Sequence, residues 1–184
     1  SVTFYGQNDY SLSFDGVNDY VDLSNSISFG TNSFSVSIDC YLNAFEGLDS
    51  EPYSYIVGTP LAGASNDHGF KIQTSSLNFN GGFEAHINDA GTTDFNVLTY
   101  QNTSQTNVVL NQWYTLTMVV DRDNSEFLFY VDGTLVDSEI ISSTFGDVDL
   151  GIPISIGHMS LNNTSVLDGS TDNLHIWSRA LHQS

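Results

Sequence analysis

The sequence predicts an all-β protein, an antiparallel two-sheet sandwich of the jelly-roll kind, and three observations predict it. No segment sustains a helical period, while short runs with alternating apolar residues recur between polar turns along the chain. The stretch Trp113 to Val136, WYTLTMVVDRDNSEFLFYVDGTLV, reads as two long strands followed by a tight reversal at Asp132-Gly133, a turn whose positive φ glycine adopts at little cost. Hydrophobic residues make up 40% and aromatics 12% of 184 residues, enough for one domain, residues 1–184, with a sizeable core. Many short strands joined by long polar loops are the pattern of packed antiparallel sheets.

Taken in order, Tyr10 to Phe14 and Val17 to Leu23 read as short strands around Asp15-Gly16. FSVSIDCYL, from Phe34 to Leu42, puts Phe34, Val36, Ile38, Cys40 and Leu42 on one face, the mark of a half-buried strand. Cys40, in phase with that face, reads as a buried and inert thiol. Tyr55 to Val57 is extended, and Leu61 to Asp67 is a loop. Gly69 to Thr74, Ser76 to Asn80, Gly82 to Ile87 and Phe95 to Thr99 read as strands within polar surroundings. Both sides of Trp113 to Val120 are largely apolar, which predicts a central strand covered on both faces. Asp121 to Ser125 is a turn and Phe127 to Val131 the next strand. Ser138 to Leu150 reads as a loop, Ile154 to His158 as a strand, Met159 to Leu167 as a loop, and Thr171 to Trp177 as the closing strand.

Charge bounds the partners. The formal net charge is -19, from 22 acidic residues against Lys71, Arg122 and Arg179. Nucleic acid is close to excluded, because phosphate binding needs a basic surface, and anionic membranes are excluded for the same reason. No apolar run reaches the length of a membrane span. So many carboxylates repel one another and invite divalent cations or salt; calcium, which prefers oxygen donors, is the natural candidate. A single cysteine excludes an intrachain disulfide.

Four stretches, SLSFDGVNDYVDL, FSVSIDCYL, NQWYTLTMVVDRDNSEFLFYVDGTLV, and ISIGH followed by LDGSTDNLHIWSRAL, together resemble the laminin G-like branch of the concanavalin A-like lectin/glucanase superfamily in order and spacing. The resemblance implies two curved antiparallel sheets with the first and last strands adjacent, and it puts Trp113 and Trp177 on core strands, as packing and not as sugar stackers. It also implies an extracellular module, secreted or at the cell surface, that binds glycans or proteins, frequently with calcium. Where the family places a calcium between first and last strands, the matching residues are Asp15 and Asp172; Asn18 and Asp19 would add oxygen ligands. The chain is expected to be a domain cut from a larger protein.

Catalysis is not expected. Retaining glycoside hydrolysis needs two carboxylates about 5 Å apart, and in Glu46-Gly47-Leu48-Asp49-Ser50-Glu51 the spacing turns Glu46 away from its neighbours if the segment is extended. Asp147 and Asp149 read as turn carboxylates. A lyase would want a Tyr and His pair with an Arg or Gln cluster, yet Arg122 and Arg179 fall in segments with structural explanations. His68 and His86 lack the closely spaced partners of a zinc site. Ligand contact is expected in the long polar loops, at Tyr53, Asn66, Asp67, His68 and Tyr100, because glycan sites combine aromatic platforms with amide and carboxylate hydrogen bonds. The primary reading is thus a non-catalytic, calcium-containing lectin-like module. The alternatives are a glycan-active hydrolase or lyase of the same fold, and a structural domain of a surface or virion protein. Sequons at Asn102, Asn162 and Asn163 fit chance in a chain rich in Asn and Thr.

Overall fold

The computed structural model describes residues 10–23, 27–45, 53–59, 69–75, 81–89, 95–100, 108–149, 151–159 and 165–182. Among them the strands are β1 (Leu12–Asp15), β2 (Val21–Asp22), β3 (Phe34–Leu42), β4 (Tyr55–Gly58), β5 (Gly69–Ser75), β6 (Gly82–Asn88), β7 (Phe95–Tyr100), β8 (Trp113–Asp121), β9 (Glu126–Val131), β10 (Thr134–Ile140), β11 (Ser155–Ile156) and β12 (Asp168–Trp177). They form two antiparallel six-stranded sheets. One has the order β1-β12-β3-β8-β9-β10, the other β2-β11-β4-β5-β6-β7. Strand β1 lies on β12, so the ends of the described chain meet in one sheet.

The core lies between the sheets. From the first come Phe34, Val36, Ile38, Cys40 and Leu42 of β3, Leu116, Met118 and Val120 of β8, and Phe127 and Phe129 of β9. From the second come Ile56, Val57, Phe70, Ile72, Phe83, Ala85, Ile87 and Leu98. The alternation read in β3 therefore translates directly into burial, with Ser37, Asp39 and Tyr41 turned to the other side. Cys40 is fully buried, and burial pushes its thiol pKa far up, which leaves it without the thiolate that reactivity requires. Asp132 and Gly133 both have positive φ, 50° and 72°, and join Val131 to Thr134 as the two-residue hairpin expected.

Several expectations change. Strand β10 runs on to Ile140, where a loop was expected from Ser138, because its backbone stays paired with β9 across a bulge between Leu135 and Asp137. Strand β12 starts at Asp168, three residues early, since β1 pairs with it from Asp168 and β3 from Gly169. The segment Val17 to Leu23 is mostly turn, and only Val21 and Asp22 pair. Ser76 to Asn80 lies outside the described residues. Strand β8 is central in its sheet but is not covered on both faces: Trp113 is 44% exposed and Thr115 is exposed beside it, so Trp113 is not core packing. Trp177 is half-buried and stacks on His175, with ring centroids 5.5 Å apart.

Arg122 has the structural role expected of it. Its two terminal nitrogens donate to the carbonyls of Phe145 and Gly146 at 2.6 and 2.9 Å, and its guanidinium lies 4.6 Å from the Phe145 ring centre. Asp149 likewise anchors a loop, accepting from the backbone N–H of Phe29 and Gly30, while Asp147 accepts from the N–H of Asp149.

Candidate functional site

In the sheet of β2 to β7, Phe70, Ile72, Phe83, Ala85 and Ile87 enter the core, so the residues between them must point to the opposite face. Those residues are Lys71 and Gln73 on β5, and Glu84 and His86 on β6. Register sets Lys71 opposite His86 and Gln73 opposite Glu84, giving four polar side chains in two facing pairs. Tyr55 is Gln73's partner on β4, and Lys71 Nζ lies 5.4 Å from the centre of the Tyr53 ring.

These polar residues are buried although they turn away from the core: Lys71 is 7%, Gln73 4% and His86 6% exposed. Glu84 is the hub. Its Oε2 accepts from Gln73 Nε2 at 2.9 Å and lies 3.0 Å from His86 Nε2. An ionised carboxylate only accepts, so this contact places the His86 proton on Nε2. Burial lowers the His86 pKa, and the charge of Lys71 lowers it further, against the opposing pull of Glu84. The imidazole is therefore neutral at neutral pH. Gln73 Oε1 is buried with no hydrogen-bond partner among the described residues. An unmet buried acceptor costs about 1–3 kcal/mol, and a ligand hydroxyl would recover that.

His158, at the edge of the same sheet, is also buried; it stacks on Tyr20 at 3.9 Å and lies 3.7 Å from Asp22. Burial lowers its pKa, and Asp22 pulls it back in part. For both histidines the folded protein binds fewer protons than the unfolded chain, whose ordinary value is 6.5. Their contribution to stability is present in full above that value and is lost as pH falls through it toward the folded pKa values, by at most about 1.4 kcal/mol per pH unit each. The melting temperature is thus expected to fall between pH 7.5 and 5.5, and His158→Gln to flatten the fall; equal slopes for wild type, His158→Gln and His86→Gln would contradict this.

The residues expected to bind calcium are not all brought together. Asp15 and Asp19 share a loop, with Asp19 Oδ2 accepting from Asp15 N at 3.2 Å and Asp15 Oδ1 accepting from Val17 N and Asn18 N at 2.9 and 3.4 Å. Asn18 therefore contributes a backbone N–H to the turn. Asp172 is elsewhere: β1 pairs only with Asp168 to Thr171, so Asp15 faces Asp168, while Asp172 faces Asp39 of β3. Four residues along a strand is roughly 13 Å.

The partner of Asp15 is thus Asp168, which the sequence reading passed over. A signal for it existed, since LDG at 167–169 repeats FDG at 14–16. Asp168 lies over the loop so closely that a Cβ on Gly16 would come within 2.9 Å of the Asp168 Cβ, and Asn43 Nδ2 donates to its Oδ1 at 2.8 Å. Carboxylate oxygens suit calcium in donor type. Among the described residues, however, no three carboxylate, histidine or cysteine side chains gather closely enough to hold a metal ion.

Of the residues expected to contact ligand, the structure brings Tyr53 to Lys71 at the polar face. Asn66, Asp67 and His68 lie outside the described residues, as does the side chain of Tyr100, which ends β7 in the same sheet. Glu46 to Glu51 and the three sequons also lie outside them. Lys71, Gln73, Glu84 and His86 were not singled out together from sequence, since their two strands are linked only by register.

No curated protein matches the sequence. Among solved structures, a native heptameric SAP-like pentraxin from Limulus polyphemus superimposes with a TM-score of 0.68 and 13% identity, over 95% of this chain and 78% of that one. Mouse laminin alpha1 chain domains LG4-5 match with a TM-score of 0.63 and 16% identity, over 96% of this chain and 45% of that one. The CBM40 of Ruminococcus gnavus IT-sialidase, bound to alpha2,3 sialyllactose, matches with a TM-score of 0.61 and 11% identity, over 89% of this chain and 92% of that one. At such identities these likenesses show the fold alone. A family model described as the concanavalin A-like lectin/glucanases superfamily matches residues 15–184. With nearly the whole sequence matched and its two antiparallel sheets in place, the chain belongs to the concanavalin A-like lectin/glucanase superfamily as a laminin G-like domain.

Proposed function

We propose that this protein is a non-catalytic glycan-binding module whose ligand docks on the polar face made by Lys71, Gln73, Glu84 and His86 beside Tyr53. The observation that carries the reading is the buried Gln73 Oε1, left without a partner among the described residues next to a carboxylate that already serves two donors. A sugar hydroxyl that donates to Gln73 Oε1 and accepts from a neighbour satisfies both sides, as polar groups in ligand sites do. Recognition rather than cleavage is favoured because this set carries one carboxylate, Glu84, whereas retaining hydrolysis uses two. The neighbour bound to sialyllactose supports a carbohydrate ligand first, and a protein ligand is the second reading.

The module is read as acting outside the cell or at its surface. Incubation with a panel of plant, algal and animal polysaccharides, read for binding and for new reducing ends, tests this function. Binding without release is expected. Released ends would replace the binding reading with a hydrolase or lyase; no binding to any glycan would leave a structural domain.

Calcium is a separate proposal, for the facing pair Asp15 and Asp168, with backbone carbonyls and water completing the shell. Support comes from the facing pair Asp15 and Asp168, since like charges directly opposite across strands destabilise a sheet. Millimolar calcium is expected to raise the melting temperature of the wild type by a few degrees, and Asp168→Asn to remove that rise. Identical melting curves in calcium and in chelator would end the proposal.

A further inference from the structure

The opposite side of the sandwich carries a cavity on the outward face of β3, β8 and β12. It encloses about 400 Å³, and its walls include Ser11, Asp39, Trp113, Thr115, Asp132 and Asp172. We propose that it is a binding site for a protonated amino sugar, a glycan whose hexosamines carry free amines.

The wall is aromatic and held in place. Trp113 is 44% exposed, with the Tyr41 ring 5.5 Å away and tilted by 52°, so part of the indole stands open to solvent. A bulge in β12 between Asp172 and His175, with Asn173 at a φ of 49°, shifts the strand by one residue and presents Asp172 and Asn173 together. Bulges re-aim side chains in this way.

Three carboxylates are fixed around that ring. Asp39 accepts from Thr115 Oγ1 at 2.6 Å and from Asn173 Nδ2 at 2.8 Å. Asp132 Oδ1 accepts from Thr115 N at 2.8 Å, and Asp172 Oδ1 from Asn173 N at 2.7 Å. Each of these bonds immobilises a carboxylate and leaves the second oxygen of Asp132 and Asp172 turned to other work.

Among the described residues, no lysine or arginine lines the cavity. The three charges do not converge on a common point, since no group of three acids, histidines or cysteines among the described residues is able to hold a metal ion. What they frame is a larger cation. An ammonium near an indole face and between carboxylates gains from the ring quadrupole and from the charges together. The net charge of -19 draws such a cation in from a distance and repels anionic glycans. Ser11, Thr115 and Asn173 add the hydroxyl and amide groups that sugar hydroxyls pair with, and the volume falls in the range of small-ligand sites.

A glucosamine tetramer, titrated by calorimetry at pH 6, tests the site against its fully N-acetylated counterpart. The free-amine tetramer is expected to bind at least tenfold more tightly, with affinity falling as salt rises. Trp113→Ala and Asp172→Asn should each weaken it at least tenfold, while Ile140→Ala, at an exposed position of the edge strand β10, leaves it unchanged. Trp113 is exposed, so its variant keeps its melting temperature and serves as the decisive case. Equal affinity for the acetylated tetramer, no loss with Trp113→Ala, or equally tight Trp113-dependent binding of a lysine peptide would each overturn the proposal.

Discussion

Phe34→Ala is expected to lower the stability of the protein by about 4 kcal/mol, the largest single effect among core truncations here. Phe34 is fully buried in the middle of the first sheet, stacked on Phe29 at 4.1 Å with an interplanar angle of 14°. It also reaches across the sandwich to Phe70 of the second sheet at 5.6 Å, and Phe29 meets the same ring edge-on at 5.8 Å. The three rings form a bridge between the sheets. Removing the central one costs the transfer energy of its atoms plus the cavity left behind, which two rigid sheets are poorly able to close. For a domain of this size that corresponds to a fall in melting temperature of roughly 8–16 °C. Urea unfolding measures it directly, and a loss under about 1 kcal/mol would show that the bridge is not a principal tie between the sheets. Phe34→Leu should recover part of the loss.

Glu84→Ala is expected to weaken glycan binding by about 10- to 100-fold, the loss that follows from removing a charged hydrogen-bonding partner. Glu84 holds Gln73 by its amide nitrogen and His86 by Nε2, so its removal frees two neighbours from their orientation. It also leaves two buried donors to find other acceptors. Glu84→Gln keeps the shape and one acceptor oxygen, and should fall between wild type and alanine. Affinity for the best glycan within twofold of wild type in both variants, with the fold intact by circular dichroism, would move the binding site elsewhere. A large loss with Glu84→Ala and none with Trp113→Ala would separate the two faces.

Strand β3 was legible from its sequence alone because side-chain alternation is a local property: every second residue from Phe34 to Leu42 is apolar, and every one of them is buried. The hairpin at Asp132 and Gly133 was legible for the same reason, since positive φ is decided within two residues. Trp113 was expected as packing because the resemblance puts it on a core strand, yet it is 44% exposed. Which face of a strand is covered depends on what packs over it, and nothing inside the strand records that.

Fold class, the acidic character, the buried cysteine and the membership of the superfamily were thus determined by the sequence itself, being properties of composition, local period and ordered motifs. The tertiary structure alone decided that Asp15 meets Asp168 and not Asp172, that Lys71, Gln73, Glu84 and His86 form one face, and that Asp39, Asp132 and Asp172 surround one cavity. The physical reason is register. Residues tens of positions apart become neighbours through the pairing of backbones, and a shift of one residue, such as the bulge in β12, turns each side chain beyond it to the other face.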